Sequence, residues 1–366
     1  MEITINRNVL LPLLQTVNGV VERRQPLPIL VNFMLSVTEN ELRLTGSDME
    51  VELISTVEQK NKENTEITLP ARKLLDICKA LPENAPINIK LSGDKAQIKS
   101  AKSRFTLATL PAHEFPVIEM NEPLAEFSIS QSGLKEILEK TAFSMAQQDV
   151  RYYLNGLLLE ISSEQIRAVA TDGHRLALCD FEEKVKVKEN IQIIVPRKGV
   201  MELIRLLDNS EEEIQVNVSQ NHIRVKFKNL IFTSKLIDGK FPDYDRVIPE
   251  RGEFFVIADR EKLKQSLTRA SILSNEKYRG VRIVLEKGVL RALAHNPEQE
   301  EAEEELEIEY EGQDLEIGFN VSYLLDALGT VKTKNVRIAI KDPNSSCLLL
   351  PENEEKCKYV VMPMRL

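Results

Sequence analysis

The residues of this sequence best placed to do chemistry are Thr171-Asp172-Gly173-His174-Arg175, where a carboxylate and an imidazole two positions apart could exchange a proton. Acid–base catalysis also needs a nucleophile, a second carboxylate or a metal to act on the substrate, and none accompanies this run. Cys78, Cys179, Cys347 and Cys357 show no CxxC spacing, and His113, His174, His222 and His295 lie far apart with no HExxH. All four thiols therefore read as buried and unpaired. Glycine is scarce, at 14 of 366 residues, and neither GxxxxGK[ST] nor GxGxxG occurs, so no phosphate-cradling loop is expected. The chain reads as non-catalytic, with no cofactor and no metal.

Whether the Asp172–His174 run is a site or a turn depends on the elements around it, and those elements recur. Residues 67–75, 193–201 and 317–325 share one pattern at offsets of 126 and 124. Leu10, Leu134 and Leu263 hold matching helix positions, and Phe105, Phe232 and Tyr359 hold matching strand positions at an offset of 127. Within each repeat a strand, a helix of about three turns and three more strands run twice. Leu10, Leu13, Leu14 and Val17 give the first helix one apolar face, and Leu74, Leu75, Ile77, Cys78 and Leu81 do the same for the second. Alternating runs such as 32–37, 42–45 and 51–57 read as antiparallel strands. In this frame 171–175 aligns with Thr45-Gly46-Ser47-Asp48 and with Ala294-His295-Asn296-Pro297, which makes it a turn between strands. The fold class is α+β, with three tandem similar domains at 1–124, 125–250 and 251–366. Phe115-Pro116 and Phe241-Pro242 open the linkers between them.

The chain has 48 basic and 57 acidic residues, for a net charge of −9, with 42% hydrophobic residues and no tryptophan. That balance argues against a protein holding nucleic acid by bulk attraction. The charges are not evenly spread. Six helical windows (7–18, 71–81, 133–147, 197–208, 260–273 and 320–334) carry +8 together, which leaves −17 on the remaining residues of a chain whose total is −9. A shape that gathers the helices on one surface would make a basic lining in an acidic shell, suited to weak, sequence-independent phosphate contact. Residues 298–311 hold nine glutamates, and 305–311 alternate strictly, as in a strand with one acidic face. Lys95, Lys99, Lys102 and Arg104 form a basic edge near the end of domain one. An acidic edge and a basic edge at opposite ends of a chain suit head-to-tail pairing that closes into a ring. No apolar run approaches the length of a bilayer span and the N-terminus lacks a signal peptide's features, so a cytoplasmic location is expected.

Several longer motifs then become informative together: Phe143-Ser-Met-Ala-Gln-Gln-Asp-Val-Arg-Tyr-Tyr-Leu-Asn-Gly156, Thr171-Asp-Gly-His-Arg-Leu176, Val195-Pro-Arg-Lys-Gly199, Phe241-Pro-Asp-Tyr244, Ile272-Leu-Ser-Asn-Glu-Lys277 and Tyr359-Val-Val-Met-Pro-Met-Arg-Leu366. Over its full length the chain resembles the bacterial DNA polymerase III β subunits, the replicative sliding clamps. The resemblance implies the DNA clamp fold, each domain with two helices packed on antiparallel sheets. It also implies a homodimeric head-to-tail ring of six domains that encircles duplex DNA and tethers polymerase by topology. DNA-facing positions carry over to Arg24, Arg72, Gln148, Tyr152 and Tyr153, and Arg197 and Lys198 join them on helix charge. Adjacent tyrosines in a loop can stack on bases or sugars.

The family's partner-peptide pocket carries over to Leu154, Thr171, Gly173, His174, Arg175, Leu176, Pro242, Arg246, Val247, Asn320, Tyr323, Ser346, Val360, Val361, Met362, Pro363, Met364, Arg365 and Leu366. Its partners would be the clamp loader, the replicative polymerase α subunit, translesion polymerases and repair proteins that present a short Gln-plus-Leu/Phe motif. The subunit interface carries over to Phe105 and Leu107 against Ile272 and Leu273, ringed by Lys73, Lys102 and Arg104 facing Glu298, Glu301 and Glu304. Gln147, Tyr278 and Asn344 depart from the family pattern. The rival readings are an enzyme centred on Asp172 and His174, and a cytosolic peptide-binding scaffold without DNA encirclement.

Overall fold

The computed structural model describes residues 2–22, 27–61, 64–187, 189–249 and 255–365. The first repeat runs β1 (Glu2–Asn6), α1 (Arg7–Val17), β2 (Asn32–Val37), β3 (Glu41–Ser47), β4 (Val51–Glu58), β5 (Thr65–Pro70), α2 (Ala71–Ala80), β6 (Pro86–Ser92), β7 (Lys95–Ser100) and β8 (Ser103–Ala108). The second runs β9 (Ala125–Ser130), α3 (Gln131–Glu139), β10 (Gly156–Ile161), β11 (Gln165–Thr171), β12 (Arg175–Glu182), β13 (Ile191–Pro196), α4 (Arg197–Leu206), β14 (Glu213–Val218), β15 (His222–Lys226) and β16 (Leu230–Lys235). The third runs β17 (Phe255–Asp259), α5 (Arg260–Ala270), β18 (Gly280–Glu286), β19 (Val289–His295), β20 (Glu301–Glu307), β21 (Leu315–Asn320), α6 (Val321–Thr330), β22 (Asn335–Ala339), β23 (Cys347–Pro351) and β24 (Cys357–Val361).

Local chemistry accounts for the helices. Asn6, Asp259 and Asn320 cap α1, α5 and α6, each with its side-chain oxygen accepting a backbone N–H of the first turn. In α2, Ala71, Leu74, Leu75 and Cys78 are buried while Arg72, Lys73, Asp76 and Lys79 face outward. Burying each leucine contributes about 1.5–3 kcal/mol. The segment after Glu139 does not continue α3 to 147 as the apolar spacing predicts; it tightens into a 3-10 turn at Ala142–Ser144, because the buried Thr141 hydroxyl bonds back to the Ile137 carbonyl at 2.6 Å. The acidic strand also starts earlier than the alternation implies, at Glu301, and beyond Glu307 the chain leaves the sheet to bridge Glu309 with Ile257.

The strands form sheets that do not coincide with the repeats. Two compact units result, residues 1–134 with 198–236, and residues 135–197 with 237–366. The first holds a four-stranded sheet, β1-β6-β7-β8, and an eight-stranded one, β5-β2-β3-β4-β16-β15-β14-β9. The second holds the eight-stranded β13-β10-β11-β12-β24-β23-β22-β17 and the four-stranded β20-β19-β18-β21. In each long sheet the joint falls between repeats: β4 pairs antiparallel with β16, Leu53 opposite Phe232, and β12 pairs with β24, Ala177 opposite Tyr359. Phe232, Tyr359, Leu53 and Ala177 are all buried, so the joints are core and not surface.

The joint in the second unit corrects the reading of the cysteines. Cys179 and Cys357 stand opposite each other on β12 and β24 and form a disulfide, while Cys78 and Cys347 are free and buried. The pair was invisible in the sequence because its members belong to different repeats, 178 residues apart.

In the first unit, the linker after Phe115 is pinned by the buried Glu52 and the half-buried Arg224, which bond the two sides of one peptide residue. The Ile118 N–H donates to the Glu52 carboxylate at 3.0 Å, and the Arg224 guanidinium donates to the Ile118 carbonyl at 3.1 Å. Burial holds the Glu52 carboxyl above the usual range, outweighing the lowering by the Ile118 N–H and Arg224. A raised folded-state pKa means that stability is lost as pH rises: the unfolded carboxyl ionises first, and the folded one resists. Glu52→Gln is therefore expected to raise Tm at pH 8 relative to the parent chain and to change it little at pH 4, where both states carry a neutral group. Thermal melts at the two pH values check this, and an equal shift at both would refute it.

Candidate functional site

The positions assigned to the partner pocket lie in the second unit, and the structure brings most of them together. Leu154, Leu176 and Val360 share one buried apolar cluster with Phe241 and Tyr244, against which Val247 packs. Leu154 ends a 3-10 turn, Tyr152–Leu154, and its carbonyl accepts from the Ala146 N–H at 3.0 Å. Val361 is buried, while Met362, Pro363 and Met364 are half-buried and Arg365 is exposed. The Met362 N–H donates to the His174 carbonyl at 2.9 Å and the Met364 N–H to the Gly318 carbonyl at 2.8 Å. Pro363, which has no N–H, stands between them, so the tail is tied to the 171–175 turn on one side and to β21 on the other.

The turn itself is built by its own side chains. Asp172 accepts from the backbone N–H groups of His174 and Arg175 at 2.9 and 3.0 Å, and the Thr171 hydroxyl donates to the Arg175 carbonyl at 2.6 Å. Gly173 has φ +87°, and a Cβ there would come within 3.0 Å of the Arg151 guanidinium. The carboxylate is thus spent on the turn, as the repeat alignment predicts.

Arg175 organises the polar wall. It bonds Asp172 at 3.1 Å, Asp326 at 2.5 Å and the Phe143 carbonyl at 2.8 Å, and its guanidinium lies 4.5 Å from the Tyr323 ring centre and 5.3 Å from that of Phe143. His174 stacks on Tyr323 with centroids 6.4 Å apart. Burial and the Asp172 charge push the Tyr323 phenol up. Asn320 spends its carbonyl oxygen capping α6 and donates to the Tyr278 carbonyl at 3.3 Å. Pro242 and Arg246 are exposed, with Arg246 paired to Asp243 at 2.7 Å, and Ser346 is half-buried at the entry to β23. The structure adds Phe143, Asp172 and Asp326 to this wall. Phe143 and Asp172 stand inside motifs already singled out; Asp326 carries no sequence signal.

The positions assigned to DNA fare differently from one another. Arg72 is fully outward on α2. Gln148, at φ +54°, and Tyr152, 57% exposed, project from the loop before β10, with the Tyr152 and Tyr153 rings edge-on at 5.8 Å and Tyr153 half-buried against the apolar cluster. Arg24 and Leu366 lie outside the described residues. Lys198 is not the free cation that helix charge predicts: it pairs with both Glu22 and Asp48, so its charge is already compensated. Arg197 is half-buried and donates to the Met145 carbonyl at 3.3 Å, and burial followed by the nearby Arg175 lowers its pKa.

At the outer edges, β8 presents Arg104 and the half-buried Phe105, with Lys102 in the turn before it and Lys73 outward on α2. Leu107 is buried in the single chain, at 8% exposure, and Phe105 on the same strand is the more open of the two. In the third repeat Ile272 is 73% exposed and Leu273 half-buried, and Glu298 and Glu301 are exposed. Glu304 is held by Arg269 of the same chain at 2.5 and 2.8 Å, which lowers its pKa.

Comparison with known proteins agrees along the whole chain. The descriptions for the N-terminal, central and C-terminal domains of the DNA polymerase III beta subunit match residues 1–119, 128–243 and 245–365. The beta sliding clamps of Pseudomonas putida and Escherichia coli K12 are 53% and 47% identical to it, each over 100% of both chains. A crystal structure of the Pseudomonas aeruginosa DNA polymerase sliding clamp superposes with a TM-score of 0.97 at 52% identity over 100% of both chains. The same bacterium's clamp bound to griselimycin gives 0.96 at 52%, again over both whole chains.

Proposed function

Because this chain belongs to the DNA polymerase III beta subunit family of non-catalytic sliding clamps, we propose that two copies close head to tail into a ring around duplex DNA and tether the replicative polymerase to it. The observation that carries this reading is the pair of four-stranded sheets. β8 is the repeat equivalent of β16 and β24, and β20 is the equivalent of β4 and β12, yet among the described residues β8 and β20, unlike the other four, have no strand on that side. Pairing β8 with β20 of the partner subunit would make each half-sheet eight-stranded like the other two. Phe105, Leu107, the exposed Ile272 and the half-buried Leu273 would fill the seam, with Lys73, Lys102 and Arg104 facing Glu298, Glu301 and Glu304.

Domains at 1–124, 125–250 and 251–366 would then supply six units around the hole. Arg72, Gln148, Tyr152 and Tyr153, together with Arg24, would touch DNA loosely, which suits sliding, while Lys198 and Arg197 contribute structure first. A ring that cannot fall off needs little phosphate affinity, and this explains how a chain of net charge −9 serves on DNA. The groove of Leu154, Leu176, Val247, Val360 and Met362 would take short apolar peptides from polymerases, the clamp loader and repair proteins; the griselimycin complex of the Pseudomonas aeruginosa clamp supports a ligand site in this fold. The site of action is the cytoplasm.

The deciding experiment loads labelled protein onto nicked circular plasmid with a bacterial clamp loader and ATP, and follows retention by gel filtration before and after linearisation. Retention on circles that is lost on cutting is expected. Equal behaviour on both forms, with a control clamp loading normally, would favour a DNA-independent scaffold.

A further inference from the structure

One wall of the peptide groove is the linker 241–247, which belongs to no strand or long helix and carries Pro242, Arg246 and Val247. Its anchor lies on the sheet. Gln192, Glu160, Arg167 and Asp180 are direct register partners on β13, β10, β11 and β12, forming one polar row across four strands. Arg167 grips Asp180 through two bonds of 2.5 and 3.0 Å, and Gln192 donates to Glu160 at 2.6 Å. The Tyr244 hydroxyl is seated on this row, donating to Glu160 and accepting from Arg167 at 3.3 Å. Its ring is buried in the apolar cluster that holds Leu154, Leu176 and Val360. The Tyr244 carbonyl accepts from the Val247 N–H at 2.9 Å, which closes the single turn presenting Arg246 and Val247.

The other repeats show which parts of this arrangement are generic. An arginine recurs at the same strand position, as Arg43, Arg167 and Arg291, 124 residues apart. Arg43 pairs with Glu41, and Arg291 with Glu286 and Glu305. The position of Glu160 is Ser36 in the first repeat and Val284 in the third, and the position of Tyr244 is Ile118 in the first linker. The arginine is thus a recurring sheet residue, whereas the carboxylate and the phenol occur together only in the repeat whose linker lines the groove.

We infer that Tyr244, seated on the Glu160–Arg167–Asp180 row, is a positioning residue that holds the linker wall of the peptide groove in its binding shape. This rests on the reading of the groove as a peptide site. The hydroxyl acts at a distance: it touches no peptide, and its loss lets the turn at 245–247 drift from the cluster.

The test uses the full-length chain and a fluorescent peptide containing a glutamine followed by leucine and phenylalanine, read by anisotropy and stopped-flow dissociation. Tyr244→Phe, which removes one oxygen and keeps the ring, is expected to weaken binding roughly fivefold, mainly through faster dissociation. Glu160→Gln, which keeps an acceptor for the phenol, is expected to bind within twofold of the parent. Arg43→Met, at the equivalent position of the first repeat, should leave binding unchanged. Parent-like binding by Tyr244→Phe would overturn the inference, as would an equal loss in Arg43→Met, which would reduce the effect to general sheet stability. Failure of the parent chain itself to bind the peptide would instead remove the groove reading on which the inference stands.

Discussion

Ile272→Asp combined with Leu273→Asp is expected to leave the chain a monomer of 41.6 kDa at micromolar concentration, where the parent is expected to sediment as a dimer. Ile272 is 73% exposed and Leu273 half-buried in the single chain, so the substitutions do not disturb its core. In the proposed ring both side chains are covered. Burying them contributes about 3 kcal/mol per seam, or roughly a 100-fold change in each seam's equilibrium. Aspartate there adds a second penalty, because the same edge already carries the glutamates of 298–311. A closed ring has two such seams, and both lose the contribution together. Sedimentation velocity with circular dichroism on the same samples gives the answer; a folded variant that remains dimeric would exclude this seam, and plasmid retention should disappear in step with the dimer.

The second large effect is expected at Arg175. Its side chain is 13% exposed, and it satisfies two carboxylates, one carbonyl and two aromatic faces. Arg175→Ala leaves Asp172 half-buried without its cation and removes the packing beneath Tyr323. A stability loss of about 2–4 kcal/mol and at least a tenfold loss of peptide affinity are expected. Arg175→Lys keeps the charge but not the planar fork, so most of the loss should persist. Thermal unfolding and peptide anisotropy check both variants, and full recovery by lysine would show that charge alone matters there.

These two sites also mark how much could be read before the fold was seen. Offsets of 124 to 129 between Leu10, Leu134 and Leu263, and between Phe105, Phe232 and Tyr359, reveal the order of strands and helices because apolar periodicity is a local property. The turn at Asp172 was legible for the same reason: Thr, Asp and Gly state their backbone preferences within five residues. Partners brought together from afar were not legible. Nothing near Lys198 announces Glu22 and Asp48, nothing near Glu304 announces Arg269 on a neighbouring helix, and Cys179 meets Cys357 only because two repeats share a sheet. That Leu107 is buried in the single chain was not legible either, because edge strands have two faces and alternation does not say which is the inner one. The pocket was located through motifs rather than physics; Phe143 stands inside one of them, whereas Asp326 and the Glu160–Tyr244 contact follow only from the fold.

The sheet joints at β4–β16 and β12–β24 have a bearing on how such a chain can be cut. The duplicated stretch of sequence and the piece that holds itself together are out of phase by half a length, like bricks laid in running bond. An excised second repeat, 125–250, would keep all its helices and strands but would own half of two different slabs, each torn along a hydrogen-bonded line through its core. Such a fragment should precipitate or swap strands, while cuts that respect the slabs have no single place on the chain, since each compact unit is made of two separate stretches. A single repeat standing alone could form these same joints only by meeting copies of itself.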